Sequence, residues 1–193
     1  MDVTLDVVKE LRDRTGVSIM QCKNALIEAD GDIEKAIVIL RKRAGVSADK
    51  KSDRELGAGA VAAYVHDDSV GALVHLSSET DFVAKNPEFV ALARNIAMQV
   101  AATSPKFISR DEVTPDDEVA ARAIFEKEVE GKPEDLKAQI LQGKLDAYFR
   151  DFVLLDQQYI KDDSRTVADL IADAVQKFGE RIIVSHISRF STR

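Results

Sequence analysis

The sequence predicts an α+β protein: a small N-terminal helical bundle, then a core of antiparallel β-sheet packed with helices. Three observations carry that prediction. The first 45 residues hold three short apolar helical stripes, each closed by a cap or glycine signal. Residues 58–77 then change to small and β-branched residues around a short polar turn. A run of helix patterns follows, and the chain closes on one more β-branched run, the order expected of an α+β domain.

Taken in order, Thr4 caps a helix with Leu5, Val8 and Leu11 on one stripe, and Thr15-Gly16 ends it. Ser18 and Gln21 suit a capping box for a second helix, whose buried face is Cys22, Ala25, Leu26 and Ala29. Asp30-Gly31 is a turn. Asp32 caps a third helix with Ile33, Ala36, Ile37 and Leu40 on its apolar face, and Gly45 ends it. Residues 45–57, GVSADKKSDRELG, lack apolar periodicity and read as a charged linker. The expected segmentation is therefore a module at 1–45, a linker at 46–57 and a core at 58–193. In the core, AGAVAAYVH and VGALVHLS form a hairpin around Asp67-Asp68-Ser69. Asn86-Pro87-Glu88 opens a helix with Phe89, Leu92, Ala93, Ile96, Ala97 and Val100 on its core stripe. Thr114-Pro115-Asp116-Asp117 opens another, which Gly131 stops, and Pro133-Glu134-Asp135 opens the next. Gly143 predicts a break before Leu145, Tyr148, Phe149, Phe152, Val153 and Leu155. Thr166 and Asp169 cap a last helix, Val167 to Phe178, ended by Gly179, and residues 181–187 read as a third strand.

Composition excludes several function classes. The 193 residues are 45% apolar and 32% charged, enough for a core and a well-solvated surface. No run of about 18 apolar residues exists to span a membrane, and the first residues lack a secretory signal core. A single cysteine, Cys22, excludes a disulfide framework and a CxxC zinc site, and a reducing cytoplasm fits it. A net charge of −7 and the absence of tryptophan argue against a dedicated nucleic-acid binder.

The candidate chemistry is sparse. Gly57-Ala58-Gly59-Ala60-Val61-Ala62 matches GxGxxA, but a charged linker precedes it and an expected strand follows, so a flexible lead-in to the sheet is the better reading. No Walker A motif, GxSxG elbow or HExxH pair is present, and His66, His75 and His186 show no metal-ligand spacing. Cys22 on an apolar helix face reads as a buried, inert thiol. Arg41, Lys42, Arg43, Lys50, Lys51 and Arg54 give the stretch from Arg41 to Glu55 six basic against three acidic residues. That cluster reads as a solvated face, with RNA or ribosome binding as the alternative. In Ser77–Asn86, SSETDFVAKN, a polar connection carries Phe82 and Val83. The residues alone leave two readings of Phe82, of which a plug in the sheet–helix core is favoured over an exposed wedge for a partner.

ETDFVAKN resembles the signature of the elongation factor Ts family, guanine-nucleotide exchange factors for elongation factor Tu. VKELRDRTGVSIMQCKNALIEADGDIEKAI resembles that family's ubiquitin-associated-like N-terminal module, and DFVLLDQQYIKDDSRTVADLI and GERIIVSHISRF resemble the end of its core. The resemblance implies that Arg12, Ile19 and Met20 contact the G domain of elongation factor Tu. It also implies that Thr80, Asp81, Phe82 and Val83 disturb its magnesium site, with Phe82 inserted between two helices. This turns the reading of Phe82 from plug to wedge. Tyr64-Val65-His66 matches a Tyr-x-His segment that long family members place near the partner's phosphate loop, so His66 is a further contact candidate. The family performs no covalent chemistry and needs no cofactor, so neither an enzyme nor a bound metal is expected. Long members carry two related core halves, whereas this chain has room for one. It resembles a short form, expected to work in the cytoplasm as a homodimer in a two-to-two complex, without direct nucleic-acid or membrane contact.

Overall fold

A computed structural model describes residues 3–49, 51–129 and 133–192. The chain is α+β, with a three-stranded antiparallel sheet packed with helices. It partitions into two compact units. One comprises Met1–Ala60, Leu76–Val90 and Asp169–Ile183, and the other Val61–His75, Ala91–Ala168 and Val184–Arg193.

The first unit contains the helical module: α1 (Leu5–Thr15), α2 (Ile19–Glu28) and α3 (Ile33–Asp49). Its N-cap residues are the predicted ones, and at Ser18 the accepting half of the expected capping box is formed. Thr4 Oγ1 accepts from the Val7 N–H, Ser18 Oγ from Gln21 and Asp32 Oδ1 from Lys35. Gly16 closes α1 in the left-handed region, and the Asp30-Gly31 turn is left-handed at both residues. Val8, Leu11, Val17, Cys22, Ala25, Leu26, Ala29, Ala36 and Leu40 form the module's core. Leu5 is the exception on the predicted stripe; it sits at the first helical position and is exposed. Helix α3 does not stop at Gly45 but runs to Asp49, so the first residues of the expected linker are helical. Nothing approaches within 4 Å of a Cβ placed at Gly45, and glycine inside a helix costs only about 1 kcal/mol. Lys50 of the basic cluster lies outside the described residues. This unit also holds α4 (Asp81–Ala84), the start of α5 (Pro87–Thr103) and most of α8 (Val167–Phe178). Phe89 is fully buried and meets Phe178 edge-on, with ring centroids 6.1 Å apart.

The second unit carries the body of the sheet, with β1 (Ala58–His66), β2 (Val70–Ser78) and β5 (Ile183–Ser191) in the order β1-β2-β5. The hairpin turn is as predicted. Asp67 and Asp68 both have positive φ, and the Ser69 N–H closes on the His66 carbonyl. Ala62, Ala72 and Val74 are buried on one face of the sheet. The other face leaves Val61, Val65, Leu73 and Phe190 exposed and carries the stacked rings of His75 and His186. The third strand extends past the predicted residue 187, and the Thr192 N–H still reaches the Ser69 carbonyl.

Helices α6 (Pro115–Glu126) and α7 (Glu134–Phe152) pack together around Ala121, Leu141, Leu145, Phe149 and Val153. Thr114 and Asp117 form the full capping box at the start of α6. The expected stop at Gly131 lies outside the described residues. The expected break at Gly143 does not occur, because α7 is continuous through it. Gly143 has open space where a Cβ would sit. Gly143→Ala is therefore expected to raise stability by about 0.5–1 kcal/mol, read as a higher thermal midpoint; a lower midpoint would contradict an unstrained helical position. The sequence reading also missed the short hairpin of β3 (Gln158–Tyr159) and β4 (Asp162–Thr166). It is supported from the side by buried Gln99, whose amide donates to Gln157 and the Gln158 carbonyl and accepts from the Ile160 N–H.

Candidate functional site

The segment after β2 is a single helical turn aimed by its flanks. Thr80 is extended, and its Oγ1 accepts from the Val83 N–H at 3.5 Å, which starts α4 at Asp81. The Asn86 N–H returns to the Val83 carbonyl, and Asn86 Oδ1 then caps α5 by accepting from the Glu88 N–H. Val83 and Ala84 are buried, and at about 100° per residue this turns Phe82 outward. Phe82 is 82% exposed, so the core-plug reading does not hold. Asp81 meets Lys85 at 2.6 Å, and that contact holds its carboxyl below the usual range. Val83 offers no side-chain surface and instead anchors the turn.

Beneath this turn lies a carboxylate network drawn from three stretches of the first unit. Glu180 Oε2 accepts from the backbone N–H groups of Glu79 and Thr80, both at 3.1 Å, and its Oε1 accepts from the Thr80 hydroxyl at 2.5 Å. Glu79 answers by accepting from the Arg181 N–H at 2.5 Å and from Arg54 Nη1 at 3.1 Å. The Arg181 N–H is the main cause holding the Glu79 carboxyl below its ordinary value, partial burial opposes it, and Arg54 adds to it. Its contribution to stability is thus present above the unfolded value of about 4.3 and is lost as pH falls through the lower folded value. Arg54 also reaches the Gly179 carbonyl, and the Arg181 guanidinium holds the Arg54 carbonyl.

The remaining candidate residues are surface groups. Arg12 is exposed on α1, while Ile19 and Met20, 50% and 67% exposed, open α2 just after its Ser18 cap. They belong to the same unit as Thr80–Val83, and His66 belongs to the other. His66 ends β1 exposed, with Nδ1 3.0 Å from the Tyr64 hydroxyl and the two rings stacked. A family model described as Elongation factor TS matches residues 7–192. The chain belongs to that family. It is 42% identical over 191 residues to the elongation factor Ts of Thermodesulfovibrio yellowstonii, covering 98% of this chain and 96% of the relative. It is 44% identical over 192 residues to that of Thermosipho melanesiensis, covering 98% of each, and 44% identical over 196 residues to that of Acetivibrio thermocellus, covering 97% and 89%.

Membership of the elongation factor Ts family makes this chain a nucleotide exchange factor of translation elongation rather than a catalyst of covalent chemistry. The weaker motifs settle accordingly. GxGxxA enters a strand, not a helix, and Gly57 matters for close approach: a Cβ there would sit 3.2 Å from the Glu79 carbonyl oxygen. Cys22 is fully buried beside Thr15 and Val17, and burial pushes its thiol up. Within the basic cluster, Arg43 pairs with Glu28, and Arg54, though half-exposed, is tied into the Glu79 network. Among the described residues no helix is long and apolar enough to cross a membrane, and no group of acidic, histidine or cysteine side chains is placed to hold a metal. In this elongation factor Ts family member the sequence reading missed Glu180, Arg181, Arg54 and Glu79 as supports of the Thr80 turn. Only the place of Glu79 at the head of the ETDFVAKN motif hinted at them.

Proposed function

We propose that this chain speeds GDP release from elongation factor Tu by pressing Phe82 between two helices of the G domain. The displacement reaches the segment that holds Mg²⁺ and the phosphates. Mg²⁺ tolerates little departure from octahedral geometry, so a small shift of one ligand-bearing segment weakens nucleotide sharply. Reciprocity then makes returning nucleotide expel the factor. The observation that carries this reading is the exposure of Phe82 on a turn whose next two residues are buried. Thr80 and Asp81 start that turn and Val83 anchors it. Residues 1–45 serve as the docking module, with Arg12, Ile19 and Met20 against the G domain, and 58–193 as the core. His66, braced by Tyr64, acts near the phosphate loop.

The working species is a homodimer in a two-to-two complex in the cytoplasm. The open sheet face, with Val61, Val65, Leu73 and Phe190 exposed, supports a contact with a second copy. Buried Cys22 gives no intersubunit disulfide, so reductant is expected to leave the assembly unchanged. The deciding experiment follows labelled GDP leaving purified elongation factor Tu with and without the protein. Faster release is expected, and release at the spontaneous rate would overturn the proposal.

A further inference from the structure

Helix α4 is one turn long and cannot hold its own direction, because an isolated turn of helix is unstable. Its aim must come from what grips its two ends. The buried Val83 and Ala84 grip one end. At the other, Glu180 lies about a hundred positions along the chain from the two residues whose N–H groups it accepts. Both of its oxygens are used: one takes the N–H groups of Glu79 and Thr80, the other the Thr80 hydroxyl. Bonds to an ionised carboxylate are roughly twice as strong as neutral ones. The Thr80 hydroxyl donates a hydrogen bond to Glu180, which leaves its lone pairs to cap the Val83 N–H. One rotamer of Thr80 serves both contacts, so the carboxylate fixes the cap as well as the backbone. Glu79 ties the residue after Glu180 in return, through the Arg181 N–H.

We propose that Glu180 is a positioning residue for nucleotide exchange, acting by fixing the start of α4 so that Phe82 projects in one direction, with Glu79 as its reciprocal partner. The proposal rests on the reading of Phe82 as the group that enters elongation factor Tu. It adds the requirement that the wedge be aimed as well as exposed. A tip displaced by about 1 Å can cost on the order of a hundredfold in rate. Docking through Arg12, Ile19 and Met20 does not pass through this network, so the maximal rate is the quantity Glu180 controls.

The test compares Glu180→Ala, Glu180→Gln, Phe82→Ala and the Glu180→Ala/Phe82→Ala double variant of the full chain. Catalysed GDP release is measured across a concentration series of each, with circular dichroism and thermal unfolding as checks of folding. Glu180→Ala is expected to lower the maximal release rate about tenfold to a hundredfold, with a much smaller change in the concentration giving half-maximal release. Glu180→Gln keeps one oxygen acceptor of the same reach and is expected to fall between Glu180→Ala and the parent, which keeps the proposal testable if the alanine variant folds poorly. The double variant is expected to be no slower than Phe82→Ala alone, because Glu180 acts through Phe82. Release slowed by Phe82→Ala but not by either Glu180 variant overturns the positioning role alone. A double variant that loses the product of both single effects does the same. Release unaffected by Phe82→Ala overturns the reading of Phe82 and with it the positioning role.

Discussion

Phe82→Ala is expected to slow catalysed GDP release by about 30- to 1000-fold, the cost of on the order of 2–4 kcal/mol typical of an aromatic anchor at an interface. The same variant is expected to unfold within about 0.5 kcal/mol of the parent, because a side chain 82% exposed makes few contacts to lose. Phe89, seven positions on, supplies the contrast. It is fully buried, and Phe89→Ala is expected to cost about 3–5 kcal/mol of stability. Thermal unfolding and GDP release measured on both variants separate the two roles. A large fall in melting temperature for Phe82→Ala would contradict the exposed turn described above.

A charge placed on the open sheet face is expected to dissociate the proposed homodimer. Val65 and Leu73 are exposed on neighbouring strands, and a Cβ at Gly71 would lie 3.8 Å from a Val65 methyl, so Val65 sits beside the row of β2 that carries Leu73. Val65→Asp/Leu73→Asp would bring four carboxylates together across a two-fold contact, each desolvated and facing like charge. Light scattering over a dilution series is expected to show the parent as a dimer and the double variant at the 21.3 kDa of one chain. The protomer should remain folded, since both side chains are exposed within it. GDP release by the variant should fall, because the proposed working species is the homodimer. A parent that is monomeric at every concentration and still releases GDP at full rate would rule the dimer out.

What the sequence made legible was local. Thr4, Ser18, Asp32, Asn86 and Thr114 cap helices where their spacing to the next apolar stripe said they would, because a cap acts across two or three residues. Gly16 and Gly179 end helices in left-handed geometry for the same reason. Gly45 and Gly143 misled, since glycine in an exposed helix interior is a modest cost that neighbouring turns override. The candidate site divided along the same line. The exposure of Phe82 depends on Val83 and Ala84 being inward, and periodicity over a four-residue helix is too short to read. The grip of Glu180 on Thr80 spans 100 positions, and no local pattern in either stretch signals it. The hairpin of β3 and β4 escaped because its strands are short and polar, and its support is a buried glutamine from α5, Gln99.

The long separation between Thr80 and Glu180 has a consequence for how the molecule is made. Chains grow at about 5–20 residues per second, so Glu180 is joined to the nascent chain roughly 5–20 seconds after Thr80. Throughout that interval the hairpin can close and the helical module can collapse on its own contacts, yet the turn bearing Phe82 lacks the Glu180 carboxylate at its start. The exposed aromatic therefore acquires its fixed bearing among the last events of biogenesis. A chain stalled before residue 180 would carry the full signature sequence while lacking the means to aim it.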